Sequence, residues 1–269
     1  MTLKVLLRGG GDLASGVAAR LQRAGAAVVI AELQRPLVVR RKAAFAEAVF
    51  AGQTEVGGIT ARKVGSLAEI EACWGKGEIA VAVDPGLDLL EDISPHVLVD
   101  ARMRKTAPEI GMQAAMMVIG LGPGFTAGED CHAVIETQRG HDLGRVIWQG
   151  AATPNTGIPG SIGNHGEDRI LRAPADGEVT GKVEIGTVVS QGDVLAEVNG
   201  APVQAKFDGV LRGLVHDGLD VKKGMKIGDL DPRGDPSYCA TISDKALAVG
   251  GGVLEAVLSN AALRAKLCS

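Results

Sequence analysis

After a short apolar run the chain reads Arg8-Gly9-Gly10-Gly11-Asp12-Leu13-Ala14, so a G-x-G-x-x-A pattern stands where a strand would hand over to a helix. In that setting Gly9 permits a tight turn, Gly11 lets a phosphate approach the backbone, and Ala14 lets helix and sheet pack closely. Gly10 completes the turn. Glu32 follows Ala14 by 18 residues, the spacing at which such folds place an acid against a ribose hydroxyl. Asp12 suits the helix dipole but repels a phosphate, so a sugar hydroxyl or a capping role fits it better. Arg35, Arg40 and Arg41 have the chemistry to pair with a phosphorylated ligand, although such arginines more often face solvent.

A second loop, Leu121-Gly122-Pro123-Gly124-Phe125-Thr126-Ala127-Gly128, follows another apolar run. If that run is a parallel strand, Gly122 and Gly124 lie beside the first turn, because ligands in open α/β sheets gather at the carboxyl ends of strands. Cys131 to Thr137 and Arg145 to Trp148 then read as a hairpin with a polar tip. It carries Cys131, His132, Glu136 and His141, a set with acid, base and nucleophile types. Glu129 and Asp130 oppose a Cys131 thiolate, whereas Arg139 or Arg145 would favour one. No compact H-x-x-x-H or H-E-x-x-H spacing occurs, so no metal site is expected.

Parallel-strand signals recur at Val5–Leu7, Ala27–Ala31, Ile79–Val83, Val97–Val99 and Met116–Leu121, each an apolar run closed by glycine, proline or charge. Leu13, Val17, Ala18 and Leu21 form one helical stripe that Gly25 is placed to end. These patterns predict an α/β fold with a Rossmann-like parallel sheet over 1–165.

The 269 residues, 46% hydrophobic and 22% charged, with a net charge of −4, describe a globular chain without the basic surface nucleic acid requires. Apolar stretches are too short for a membrane span, and the first residues lack a signal-peptide cleavage pattern, so a cytoplasmic location is expected. The four cysteines are widely spaced, which argues against a disulfide framework or a zinc knuckle.

From Ala173 the chain repeats itself at an offset of 32, with Asp176-Gly177, Gly181, Gly186, Val189 and Gly192 matching Asp208-Gly209, Gly213, Gly218, Val221 and Gly224. Two copies of short valine-rich strands predict a small β-sandwich. Residues 170–231 resemble the lipoyl/biotinyl barrel-sandwich module, except that Asn199-Gly200 stands where the carrier lysine would be, which excludes a swinging arm. The remaining segment, 240–269, has the periodicity of a helix packing on the rest, weakened by Gly250-Gly251-Gly252.

The glycine turn, Val39-Arg40-Arg41, Gly120 to Phe125, Cys131 to Thr137, Arg139-Gly140-His141, Ile227 to Arg233 and Ile242 to Gly252 together resemble one family, the YqeB-type accessory proteins of selenium-dependent molybdenum hydroxylases. That resemblance implies maturation of a molybdenum hydroxylase apoenzyme and a molybdopterin-type cofactor, through a Rossmann domain related to the xanthine dehydrogenase accessory factors. The site expected is Gly9, Gly10, Gly11, Asp12, Ala14, Glu32, Arg35, Gly122 and Gly124 for the cofactor, with Cys131, Glu136 and His141 for chemistry. An NAD(P)-dependent oxidoreductase and a non-catalytic nucleotide-binding scaffold remain as alternatives, and a homo-oligomer stays open.

Overall fold

The computed structural model describes residues 2–103, 108–155, 157 and 162–267. The chain divides into two units, one of 1–36, 45–155 and 242–269 and one of 37–44 and 156–241.

In chain order the first unit contains β1 (Lys4–Arg8), α1 (Asp12–Arg23), β2 (Ala27–Glu32), α2 (Ala48–Ala51), β3 (Gln53–Val56), β4 (Ile59–Val64), α3 (Leu67–Gly75), β5 (Ile79–Val83), α4 (Leu89–Ile93) and β6 (Val97–Asp100). It continues through β7 (Met117–Leu121), β8 (Thr126–Ala127), β9 (Ala133–Ile135), β10 (Val146–Ile147), β11 (Gly150–Ala151), α5 (Asp244–Ser259) and α6 (Ala261–Leu267). Nine strands make one sheet in the order β10-β9-β7-β6-β1-β2-β5-β4-β3. Alternation of side chains sends Val5, Leu7, Val28 and Ile30 to one face with α1 and α5, and Leu6 and Val29 to the other with Ile70 and Cys73 of α3. Each fully buried Val or Leu there contributes about 1.5–3 kcal/mol.

The expected fold class is corrected on two points. The sheet is mixed rather than Rossmann-like and parallel: β3 and β10 run antiparallel at its two edges. The β3–β4 ribbon turns on Gly57 and Gly58, both at positive φ, and its polar strand Gln53–Val56 carries too little apolar signal to stand out. Residues 170–231 do not close as a separate lipoyl/biotinyl module. The second unit is two four-stranded sheets, and it also takes in 37–44, which a linear reading leaves in the first domain. Arg41 Nε donates to the Leu214 carbonyl at 2.8 Å and Lys42 Nζ to the Ile185 carbonyl at 2.6 Å, which ties 37–44 into that unit. Helix α5 packs within the first unit, with Val249, Val253 and Val257 fully buried.

The second unit contains β12 (Ile170–Arg172), β13 (Gly177–Gly181), β14 (Val188–Val189), β15 (Val194–Val198), β16 (Ala201–Gln204), β17 (Gly209–Leu214), β18 (Asp220–Val221) and β19 (Lys226–Asp231). The duplication appears in its pairing. Val188 of the first copy faces Val210 of the second, and Glu178 of the first faces Asp220 of the second, a reciprocal exchange at the offset of 32 seen in the sequence. Each copy lends its short strand to the sheet of the other, so neither copy completes its hydrogen bonding alone.

Candidate functional site

The turn after β1 forms as the glycines predict, but its own protein occupies most of it. Gly9 has φ +98, and a side chain there would meet Arg102 Cγ at 3.3 Å. Gly10 lies against Ala46, whose N–H donates to the Gly10 carbonyl at 2.9 Å. Glu32 is buried and faces back to the turn, where its carboxylate accepts from Gly10 N–H at 2.7 Å and from Leu33 N–H at 2.7 Å. Glu32 therefore locks the turn to the end of β2. Ala14 is a buried residue of α1, Arg35 is exposed beyond β2, and Arg40 belongs to the second unit.

Gly11 is different. It is the N-cap of α1, extended at φ −70 and ψ −170, with no side-chain cap. The other two long helices begin on serines: Ser66 accepts from Glu69 N–H at 3.3 Å, and Ser243 from Ala246 N–H at 3.2 Å. A backbone of that shape accepts any residue, and a serine or aspartate at 11 would stabilise α1 by only roughly a few tenths of a kcal/mol over glycine, itself a favoured N-cap residue. Glycine brings no side chain of its own to the amides of the first turn.

The second loop leaves the C-terminal end of β7, two strands from β1 across β6. Gly122 is buried at φ +72, where a side chain would lie 2.5 Å from Thr137 Oγ1 and 3.1 Å from Met103 Cε. Phe125 folds back onto Gly120, while Gly124 is exposed. Between the two loops stand Arg102 and Met103, one against Gly9 and the other against Gly122. Arg102 is held by Asp100, with Nη2 to Oδ2 at 2.6 Å and Nε to Oδ1 at 3.0 Å. Arg8 pairs with Glu109 at 2.8 Å. Sequence reading missed this charged cluster because Asp100, Arg102 and Glu109 form no compact motif.

The hairpin residues separate by burial. Cys131 has no exposed surface, its thiol donates to the Ala133 carbonyl at 3.3 Å, and burial, with Asp130 adding to it, pushes its pKa to about 11. Neither arginine invoked for a thiolate is at hand for it: Arg139 makes a bidentate pair with Asp244 at 2.7 and 2.9 Å, and Arg145 pairs with Asp142 at 2.8 Å. Glu136 is also buried and accepts from Gln138 N–H at 2.7 Å and Thr153 N–H at 2.8 Å. Burial alone would raise its pKa, but those amides outweigh it and hold the carboxyl below the ordinary glutamate value. His141 lies exposed at the tip, and the ring of His132 accepts from Val118 N–H at 3.0 Å as part of the strand pairing. Structure thus places Cys131 and Glu136 in the packed interior and His141 outside it. No group of three His, Cys, Asp or Glu converges to hold a metal among the described residues.

A residue the sequence reading passed over is brought into the site instead. Lys245, in the first turn of α5, is affected by Asp12, Glu136, Arg139 and Asp244 together. Burial first, and then Arg139, lowers its pKa below that of an ordinary lysine. A cation in a helix's first turn opposes the helix dipole, and that was the available signal.

No family model matches the chain. It is 49% identical over 254 residues, 94% of its length, to the uncharacterized protein YqeB of Escherichia coli. The chain is YqeB-like. It spans about half the length of that relative, of which 47% is matched. Among solved structures, an aspartoacylase family protein of Mesorhizobium loti aligns over 86% of the YqeB-like chain and 85% of its own, at 13% identity and a TM-score of 0.27. A succinylglutamate desuccinylase of Silicibacter aligns over 85% and 84% at 14% identity and a TM-score of 0.26. Likeness at that level does not establish a common fold. Among the described residues, no single helix of the YqeB-like chain is long and apolar enough to cross a membrane.

Proposed function

We propose that this chain is a cytoplasmic accessory protein that binds a phosphate-bearing cofactor, of molybdopterin or nucleotide type, at the start of α1 and serves the maturation of a molybdenum hydroxylase. The observation that carries the binding reading is the helix start at Gly11, where the cap residue brings no side chain and the first-turn amides can meet an anion. Lys245 supplies a cation near by, and the carboxylates around it are partly spent: Asp244 on Arg139, Glu136 on backbone amides. The partner reading rests on the resemblance of the sequence motifs alone, since the relative that the chain matches is uncharacterized. An NAD(P)-dependent oxidoreductase is favoured less, since the acid that would meet a ribose is engaged by Gly10 and Leu33.

Calorimetry with pyrophosphate tests the site. Wild type should bind, Gly11→Val should abolish binding, and Lys245→Met should weaken it about tenfold, the scale of one charge-assisted hydrogen bond. Equal affinity in folded Gly11→Val protein would remove the site from α1. Mass spectrometry of the small molecule that co-purifies separates a pterin from a nicotinamide dinucleotide. Hydroxylase activity in host cells carrying Gly11→Val tests the maturation role, and wild-type activity there would overturn it.

A further inference from the structure

At the opposite end of the central strands lies a cavity of about 630 Å³ that the reading above does not use. It opens beside the N-terminal ends of β1 and β2, walled by the end of α1, by α3 and by the segment around Ile93 to His96. A volume of this size is within the range of small-molecule sites.

Its lining combines a fixed aromatic ring with two donors. Trp74 is oriented by its indole N–H, which donates to the Val28 carbonyl at 2.9 Å. The Lys4 ammonium stands 5.8 Å from the centroid of that ring. Among the described residues, no carboxylate is in ion-pair range of Lys4. His96 is set by the backbone: the Lys4 N–H donates to Nδ1 at 3.0 Å, so the ring hydrogen must sit on Nε2. Burial, reinforced by Lys266 and Lys4, lowers the His96 pKa, in keeping with that neutral tautomer. Of the two acids on the lining, Glu78 is clasped by Arg62 at 2.9 and 3.0 Å, and Glu71 is exposed. The cavity therefore offers an apolar floor with a cation and an N–H donor on its wall, and one of its acids is already neutralised.

We propose that this cavity is a second small-molecule site, for a ligand with a flat aromatic body against Trp74 and one carboxylate toward Lys4 and His96. The aromatic body gains from apolar burial and ring contact, and the carboxylate gains a charge-assisted hydrogen bond from Lys4. Gly75, the last residue of α3, lines the same space, and a side chain there would meet nothing within 4 Å. A large residue at this exposed position can thus be accommodated without a clash at its Cβ and would crowd the mouth of the cavity it lines.

The test uses the Trp148→Phe protein, in which Trp74 is the one remaining tryptophan of the two. Its fluorescence is titrated with 4-nitrobenzoate and, separately, with 4-nitrobenzamide. Saturable quenching by the carboxylate, at least tenfold weaker binding of the amide, a tenfold loss in Lys4→Met and abolition in Gly75→Phe are expected. Unsaturated, collisional quenching would overturn the site. Equal binding of acid and amide would overturn the assignment of Lys4 and His96, as would undiminished binding in Lys4→Met. Should Gly75→Phe fail to fold, the Lys4→Met and acid-against-amide comparisons still decide.

Discussion

The glycines at the start of α1 and those along α5 stand in the same unit but answer to different constraints. Along α5 the demand is contact between backbones. A side chain on Gly16 of α1 would overlap the Ala246 carbonyl, one on Gly250 would lie 2.5 Å from the Gly16 carbonyl, and one on Gly252 would overlap the carbonyl of Gly144. Helix α5 accepts a propensity cost of roughly 1 kcal/mol for each glycine because only glycine lets α1 and the hairpin approach it this closely. At Gly11 the backbone is extended, so its dihedrals make no demand for glycine, and the start of the helix carries no side-chain cap. Two clusters that look alike in sequence thus separate into a packing seam and a candidate anion site.

Four measurements test that contrast. The largest effect is expected at the seam: Gly252→Ala should lose about 3 kcal/mol or more in urea unfolding, the upper range for overpacking against rigid backbone. A loss under about 1 kcal/mol would show that the helices part easily. Glu32→Gln should cost about 1–3 kcal/mol, because one of two buried amides loses its charged acceptor. An unchanged midpoint would free Glu32 for a ligand. Next comes Gly251→Ala, which faces open space and should gain up to about 1 kcal/mol, opposite in sign to its neighbour.

The smallest effect is a pH dependence. The folded pKa of Glu136 lies below its unfolded value, so its contribution is full above the ordinary glutamate pKa and is lost as pH falls through the depressed folded value. Stability of wild type should therefore decline more steeply than that of Glu136→Gln on acidification below about pH 4.3. Parallel profiles would show that the amides of Gln138 and Thr153 do not hold the carboxylate in solution.

The elements whose signal is local were legible in the chain alone. The runs at Val5, Ala27, Ile79, Val97 and Met116 became β1, β2, β5, β6 and β7, because an apolar run closed by turn-formers is legible without knowing its neighbours. The 32-residue duplication was legible for the same reason, and so was the helical stripe from Leu13 to Leu21. Val56-Gly57-Gly58-Ile59 carries a Gly-Gly turn signal, but the polar strand before it supplies no apolar run to mark a hairpin.

Where the candidate site residues ended up depended on the packing of distant segments. Burial of Cys131, the return of Glu32 onto its own turn, the wedge of Arg102 and Met103 between the loops and the arrival of Lys245 beside Asp12 all depend on residues distant in the chain. A residue's type and spacing set what chemistry it can do. Its exposure and its charged neighbours are set by elements far away in sequence, whose approach here hinges on glycines that a one-dimensional pattern assigns equally well to a ligand.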